Sequence, residues 1–262
     1  MLAEIQGVDV WLVDFKVEVD DGSAVIWVDT VPIVMLPVKG GTFTMGCTQP
    51  GRAAHDTEES LVQHEVTLDD YYIGNTEVTQ RLWMAVMDQN PSIYIGNDLL
   101  PVDQVSWNQI QVFIARLSQI TGYRFHLPTE AQWEYAARGG NRSVGNLYPG
   151  TTDALQDAAW FCGNSGNRTH PVAQKMPNEL GIYDMGGNVA EWCSDWFGTY
   201  PTAHQNNPRG PKNGENRILR GGSINSPSWT CAVHDRSWYL PDYTYGCYGF
   251  RLALDSIERD LD

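Results

Sequence analysis

The sequence predicts an α+β fold: one loop-rich domain with few helices and many short strands, preceded by an N-terminal β-hairpin. Three observations predict it. Period-two alternation runs through residues 1–45. Helical periodicity with recognisable caps occurs three times between residues 75 and 140. Beyond residue 140, Gly, Asn, Pro and Ser interrupt every apolar run. The chain has 262 residues, enough for one large core and short for two full domains.

Val8, Val10, Leu12 and Asp14, then Val17 and Val19, alternate as strand. Asp20-Asp21-Gly22-Ser23 reads as a turn and Ala24-Val25-Ile26-Trp27-Val28 as the returning strand, so residues 1–30 form a hairpin ahead of a main domain over 31–262. Thr30–Met45 continues as strand, with Gly40-Gly41 as a turn. The first helix is expected over Glu77–Met87, where Val78, Leu82, Trp83 and Val86 share a face, with Asn75 or Thr76 as its cap. The second is expected over Trp107–Ile120. Ser106 caps it, Ile110, Phe113, Ile114 and Leu117 make its apolar stripe, and Gly122 fits the position after its end. The third opens on the capping box Thr129-Glu130-Ala131-Gln132 and runs through Trp133 and Tyr135 to Gly139-Gly140. No convincing helix follows residue 140.

Composition excludes several function classes. Hydrophobic residues make up 42% and ten are Trp, which rules out a chain too polar to bury a core. A net charge of −15 with only four Lys argues against nucleic acid as a partner and against a polybasic membrane patch. No stretch of about 18 apolar residues exists, so no membrane span is expected. The five Cys are odd in number and form no CxxC pair, so zinc ribbons and thioredoxin-like motifs are absent. Met1-Leu2-Ala3-Glu4 shows no secretory signal. No Gly-rich loop follows a strand and opens a helix, and the carboxylates of Asp56-Thr57-Glu58-Glu59 and Asp69-Asp70 read as solvated faces.

Several ordered segments carry a resemblance. They are Gly40-Gly41-Thr42-Phe43-Thr44-Met45-Gly46, His64-Glu65-Val66-Thr67-Leu68, Tyr72-Ile73-Gly74-Asn75-Thr76-Glu77-Val78-Thr79 and Pro101-Val102-Asp103-Gln104-Val105-Ser106-Trp107. Tyr123-Arg124-Phe125-His126-Leu127-Pro128-Thr129-Glu130-Ala131-Gln132-Trp133-Glu134, Asn178-Glu179-Leu180-Gly181-Ile182-Tyr183-Asp184-Met185-Gly186-Gly187-Asn188-Val189-Ala190-Glu191-Trp192, Arg220-Gly221-Gly222-Ser223 and Gly249-Phe250-Arg251-Leu252 follow. Over roughly residues 35–254 the chain resembles the formylglycine-generating enzyme (sulfatase-modifying factor) family, a branch of the C-type lectin fold. That resemblance implies the fold class: α+β, C-type lectin-like, of the formylglycine-generating type.

The resemblance also frames function. The family's oxidising enzymes use two cysteines five apart, shortly after Arg-Gly-Gly-Ser, to hold copper and activate oxygen. Here those positions fall on Ser226 and Cys231, so the paired soft-sulfur site that Cu(I) prefers is incomplete and no copper is expected. The scattered His residues (His55, His64, His126, His170, His204 and His234) make no metal cluster of the sulfoxide-synthase branch either. The branch that remains is the variable proteins of diversity-generating retroelements, which are ligand-binding proteins rather than enzymes. In that branch, the segment between Arg-Gly-Gly-Ser and Gly-Phe-Arg is rewritten by adenine-specific mutagenesis. AAC codons become NNC codons, which cannot encode Trp, Gln, Met, Lys or Glu. Residues 224–247 contain no Gln, Met, Lys or Glu, against about three expected from the composition of the whole chain, and only Trp229 and Trp238 lie outside the NNC set. The alternative reading is a copper- and oxygen-dependent oxidase acting on a peptide cysteine.

The same segment has the composition of a paratope. Trp229, Trp238, Tyr239, Tyr243, Tyr245 and Tyr248 sit among small hydroxyl residues, giving large contact area with few rotatable bonds. Alternation would turn Asn225, Pro227 and Trp229 inward and Ile224, Ser226, Ser228 and Thr230 outward. The expected ligand-binding residues are therefore Ile224, Ser226, Ser228, Thr230, His234, Asp235, Ser237, Tyr239, Leu240, Tyr243, Thr244, Tyr245 and Cys247, facing a macromolecular partner, a protein first of all. The resemblance further implies a structural calcium ion held by the carboxylates of Asp184 and Glu191 and the carbonyls of Gly187 and Val189. The residues alone read equally well as a tight, locally hydrogen-bonded loop. A cell-surface or extracellular location is also implied, through a lipoprotein signal absent from this chain.

Overall fold

The computed structural model describes residues 17–20, 22–49, 62–151 and 153–257. The expected strand over Val8–Asp14 lies outside them. Its continuation forms β1 (Val17–Asp20), which turns back into β2 (Ser23–Val28). β3 (Val31–Val38), β4 (Gly41–Met45), β5 (His64–Leu68) and β6 (Tyr71–Gly74) follow. β2 does not stand apart as an appendage. It pairs along its length with β3, from Ala24 opposite Met35 to Val28 opposite Val31, and buries Ala24, Ile26 and Val28 in the main core. The hairpin thereby extends a five-stranded sheet, β1-β2-β3-β6-β12, closed by β12 (Ala253–Leu254) near the C-terminus.

Three helices supply the second layer. α1 (Gln80–Val86) starts three residues later than the sequence predicts, because Thr79, not Asn75 or Thr76, accepts the Leu82 N–H. α2 (Trp107–Thr121) has the expected Ser106 capping box, and Gly122 ends it at φ 74°, a left-handed value that suits a residue without Cβ. α3 (Glu130–Ala137) has the Thr129–Gln132 capping box. α1 and α2 meet the sheet through an aromatic cluster in which Trp83 stacks on Phe113 at 5.1 Å and Phe250 meets Phe113 edge-on at 5.4 Å.

Contrary to the sequence expectation of no helix after residue 140, the C-terminal half adds one short helix, α4 (Leu155–Ala158), a single turn with no side-chain cap to announce it, and a four-stranded sheet, β10-β9-β7-β11. Its strands are β7 (Ala190–Trp196), β9 (Arg217–Arg220), β10 (Ser237–Tyr239) and β11 (Tyr248–Gly249). A small third sheet joins β4, β5 and β8 (Gln205–Asn206). Residues 224–247 thus leave from β9, return through β10 and re-enter at β11. Both ends of the segment are fixed to one sheet.

Candidate functional site

The segment 224–247 is held from behind. The chain leaves β9 through Gly221 and Gly222, at φ 90° and 67°. A Cβ on Gly222 would lie 2.7 Å from Thr230 Oγ1, and one on Gly221 would lie 3.0 Å from the Met185 carbonyl oxygen, so at these left-handed angles any side chain would be strained and crowded. Arg220, at the end of β9, is fully buried. It donates to Glu134 and to the carbonyls of Val233 and Asp235, and lies 3.4 Å from Glu130. Arg236 grips Glu130 with two bonds of 2.6 and 2.8 Å and reaches the Gly198 carbonyl at 3.2 Å. Burial pushes the Glu134 carboxyl up, but Arg138 and Arg220 outweigh that and hold it below the ordinary carboxylate range. Two guanidinium groups therefore tie the segment to carboxylates of α3. Such groups are tolerated inside only when every charge is paired and hydrogen-bonded.

On this base stands an exposed tip. Tyr239, Leu240, Tyr243 and Tyr245 are between 40% and 53% exposed. Tyr239 and Tyr243 stack at 4.9 Å with 12° between their planes, and half-buried Tyr248 supports both, at 5.3 and 6.1 Å, and Tyr245 at 5.4 Å. The tip backbone is anchored by Asn108 N–H to the Pro241 carbonyl at 3.0 Å and Gln104 N–H to the Tyr245 carbonyl at 3.2 Å. Both donors sit at or just before the first turn of α2, a rigid element.

The expected contact residues divide. Ser237 and the four tip residues are exposed. Ser226, Ser228, Thr230, Asp235 and Thr244 are half-buried. Ile224, His234 and Cys247 are buried and are not contact residues, contrary to the sequence expectation. The reason is local geometry. Residues 228–231 form a 3-10 turn instead of a strand, so period-two alternation does not apply. The phase is reversed at its start: Ile224 packs inward and Asn225 is exposed. Ile224 N–H donates to the Asn188 carbonyl at 3.0 Å, and its own carbonyl accepts the Ser165 hydroxyl at 2.8 Å. Asn225 and Asp242, both exposed, are surface positions that sequence reasoning missed. For Asp242 the signal was present, a charged residue between Pro241 and Tyr243.

The thiols around Ser226 are not poised for thiolate chemistry. Burial pushes Cys231 up to about 12 and Cys247 up to about 11. The Ser223 hydroxyl donates to the Cys247 sulfur at 3.3 Å, and the Ser226 hydroxyl accepts the Ser223 N–H at 3.0 Å. Exposed Cys162 donates its backbone N–H to the Ser226 carbonyl at 3.0 Å and lies near enough to add to the upward shift of Cys231, yet no disulfide joins the two. A hydroxyl and a protonated thiol do not fit a paired-thiolate copper centre.

The Asp184–Glu191 loop has the tight backbone expected of it, with Asp184, Gly187 and Asn188 at φ 55°, 82° and 54°. A Cβ on Gly187 would come within 2.2 Å of the Trp160 carbonyl oxygen. Its donor set does not fit calcium, however. The two oxygens of Glu191 accept from Arg251 at 2.6 Å each, and one also accepts the Trp133 indole N–H at 2.7 Å. Glu77 takes the Val189 N–H and the Asn188 amide. Asp184 Oδ2 accepts the Ala173 N–H, leaving Oδ1 buried without a partner, and burial pushes the carboxyl up to about 6. Buried Arg251 is the cation to which these carboxylates answer, and among the described residues no group of three or more His, Cys, Asp or Glu could hold a metal ion. No helix among the described residues is long and apolar enough to cross a membrane.

The fold is shared with Treponema denticola variable protein 1, at a TM-score of 0.80 and 32% identity over 89% of this chain and 99% of that one. PvdO from Pseudomonas aeruginosa aligns at a TM-score of 0.75 with 25% identity, covering 88% of this chain and 98% of the other. Among characterised relatives, the chaperone protein LppX of Paenibacillus barcinonensis is 34% identical over 63% of this chain and 75% of its own length. The formylglycine-generating enzyme of Streptomyces coelicolor is 37% identical over 60% of this chain and 53% of its own length, so this chain spans about half of that enzyme. Residues 30–256 match the sulfatase-modifying factor enzyme 1-like domain, and the chain belongs to that family.

Proposed function

We propose that this chain is a ligand-binding display protein whose tip, within residues 224–247, is diversified by a retroelement and recognises a macromolecule, a protein first of all. One observation carries the reading. Tyr239, Leu240, Tyr243 and Tyr245 are exposed on a backbone that Arg220, Arg236, Gly221 and Gly222 fix from behind. Side chains there can change without moving the scaffold, and exposed substitutions of this kind leave stability within about 0.5 kcal/mol. Similarity to Treponema denticola variable protein 1 over nearly its whole length supports the same reading. So does the absence of Gln, Met, Lys and Glu from the segment. The diversified positions are the exposed and half-exposed ones, and Ile224, His234 and Cys247 drop out because they pack inside.

The reading is non-enzymatic. A formylglycine-generating oxidase would need two accessible thiolates, and here the first position is Ser226 and the second is buried Cys231, its thiol pushed up to about 12. A cell-surface location goes with a display role, and accessibility of the folded protein to protease on intact cells tests it.

The gene tests diversification. Codons ending in C at Ser226, Ser228, Thr230, Tyr239, Tyr243 and Tyr245, with a nearby near-copy holding AAC at those positions and a reverse-transcriptase gene, are the expected result. Mixed third bases and no near-copy would overturn it.

A further inference from the structure

The tip does not stand alone. Beside it lies a loop outside the segment, residues 88–100, carrying Ile93 and Ile95 at 58% and 68% exposure, and Leu99. Three large apolar side chains exposed within seven residues form a cluster, unlike the isolated exposed Val144 and Met176 elsewhere on the surface. The loop is not loose. Asp103 is fully buried and accepts the Ile93 N–H at 2.8 Å, while its own N–H donates to the Ser92 hydroxyl at 3.1 Å. The Leu99 carbonyl accepts the Val172 N–H at 3.0 Å. The loop is also joined to the tip. A Cβ on Gly246 would lie 2.5 Å from Ile93 Cδ1, so that glycine lets Ile93 rest on the backbone between Tyr245 and Cys247. Charge completes the picture. In residues 88–100 and 237–247 the only charged side chains are Asp88, Asp98 and Asp242, all exposed, on a protein of net charge −15, while one exposed cation, Arg168, lines the same shallow hollow as Ile95. Asp88 and Asp98 meet Arg116 and Arg81 only at 3.7 and 3.9 Å, in pairs too exposed to neutralise them strongly.

We infer that Ile93 and Ile95 form a constant apolar lip to the variable tip, and that the two together bind a protein surface presenting an apolar side chain ringed by Lys or Arg. This rests on the ligand-binding reading above. The lip supplies sequence-independent burial, and the tyrosines supply stacking faces for apolar groups and guanidinium. The aspartates speed encounter with a basic partner and penalise an acidic one. Diversification then alters specificity while a floor of affinity is retained, because the lip lies outside the rewritten segment.

A displayed library of random linear peptides, sorted on the intact protein, provides the probe. Selected peptides are synthesised and their affinity measured against three proteins: the parent, the Ile93→Ser/Ile95→Ser variant and the Tyr239→Ala/Tyr243→Ala variant. All four side chains are exposed, so thermal melts should stay cooperative and shift by only a few degrees, and they serve as the folding control. The expected result is Lys- or Arg-containing peptides with apolar centres that lose about tenfold or more in both variants, the scale of one hot-spot side chain, and that weaken as salt rises. Loss in the tyrosine variant alone overturns the lip and leaves the ligand-binding reading standing. Enrichment of acidic peptides overturns the partner chemistry. Binding indifferent to both variants, or no enrichment, removes the face itself and with it both readings.

Discussion

The helix α2 and the segment 224–247 are similar structural problems solved in opposite ways. α2 is specified by its own residues. Ser106 and Gln109 cap it, an apolar stripe at helical spacing buries it, and Gly122 stops it. The segment 224–247 has a single 3-10 turn and one three-residue strand, and its shape comes from outside: α3 carboxylates on Arg220 and Arg236, glycines that admit Thr230 and Ile93, and the start of α2 under Pro241. The difference teaches where variation is affordable. Changing a surface residue of α2 alters local helix propensity, whereas a tip residue of 239–245 contributes little to the forces that hold its own backbone.

The sharpest way to break this comparison is to cut the external support. Arg220→Ala leaves Glu134 buried beside Arg138 alone and frees two carbonyls. A loss of roughly 3–5 kcal/mol, seen as a large drop in denaturation midpoint, is expected for removing one partner of a buried ion pair. An unchanged midpoint would mean the segment holds itself.

Gly187→Ala should come next, destabilising by about 2–4 kcal/mol, because the new Cβ falls on the Trp160 carbonyl at a positive φ. Chemical denaturation measures it, and a neutral effect would show that the loop can move.

A third test uses pH. Asp195 is buried, accepts the Glu130 N–H and the Ser194 hydroxyl, and is pushed up to about 7 by burial and by neighbouring Glu130. A raised carboxyl favours the fold while protonated, so its contribution is complete below the unfolded value near 4 and is lost as pH rises through 7. Asp195→Asn keeps an acceptor and cannot ionise. Its stability relative to the parent should therefore rise between pH 4 and 8, by on the order of 2–4 kcal/mol. A pH-independent difference would refute the assignment.

The smallest expected stability effect is at the tip. Tyr243→Ser should shift stability by less than about 0.5–1 kcal/mol, the worth of one exposed ring pair. A larger loss would mean the tyrosines are structural. Titration with Cu(I) sharpens the chemical side. No tight stoichiometric complex is expected, and one that vanished in Cys231→Ser would revive the oxidase reading, with Cys162 as the second sulfur to examine.

Much of the fold was legible because its signals are local. The caps at Ser106 and Thr129, the turn at Asp20–Ser23 and the glycine at 122 each act within a few residues. The start of α1 was misread because Thr79 competes with Asn75 and Thr76 as a cap, and only the packing of the chain before it chooses among them. The tyrosine tip was legible from composition. Burial of Ile224 and Cys247 was not, since Ile224 is held by Asn188 and Ser165 and Cys247 by Ser223, each brought close only by the fold.

By itself the sequence determined the family, the α+β class, two of the three helix starts and the aromatic character of the C-terminal surface, because periodicity, capping and motif order are written in neighbouring residues. Tertiary structure alone decided that β2 joins the main sheet, that Arg251 takes the carboxylates offered to calcium, and which residues of 224–247 meet solvent. The Arg251 contacts join groups about 60–180 residues apart in the chain, and all three outcomes depend on which surfaces and polar groups packing brings together, because an unpaired polar group is costly once buried.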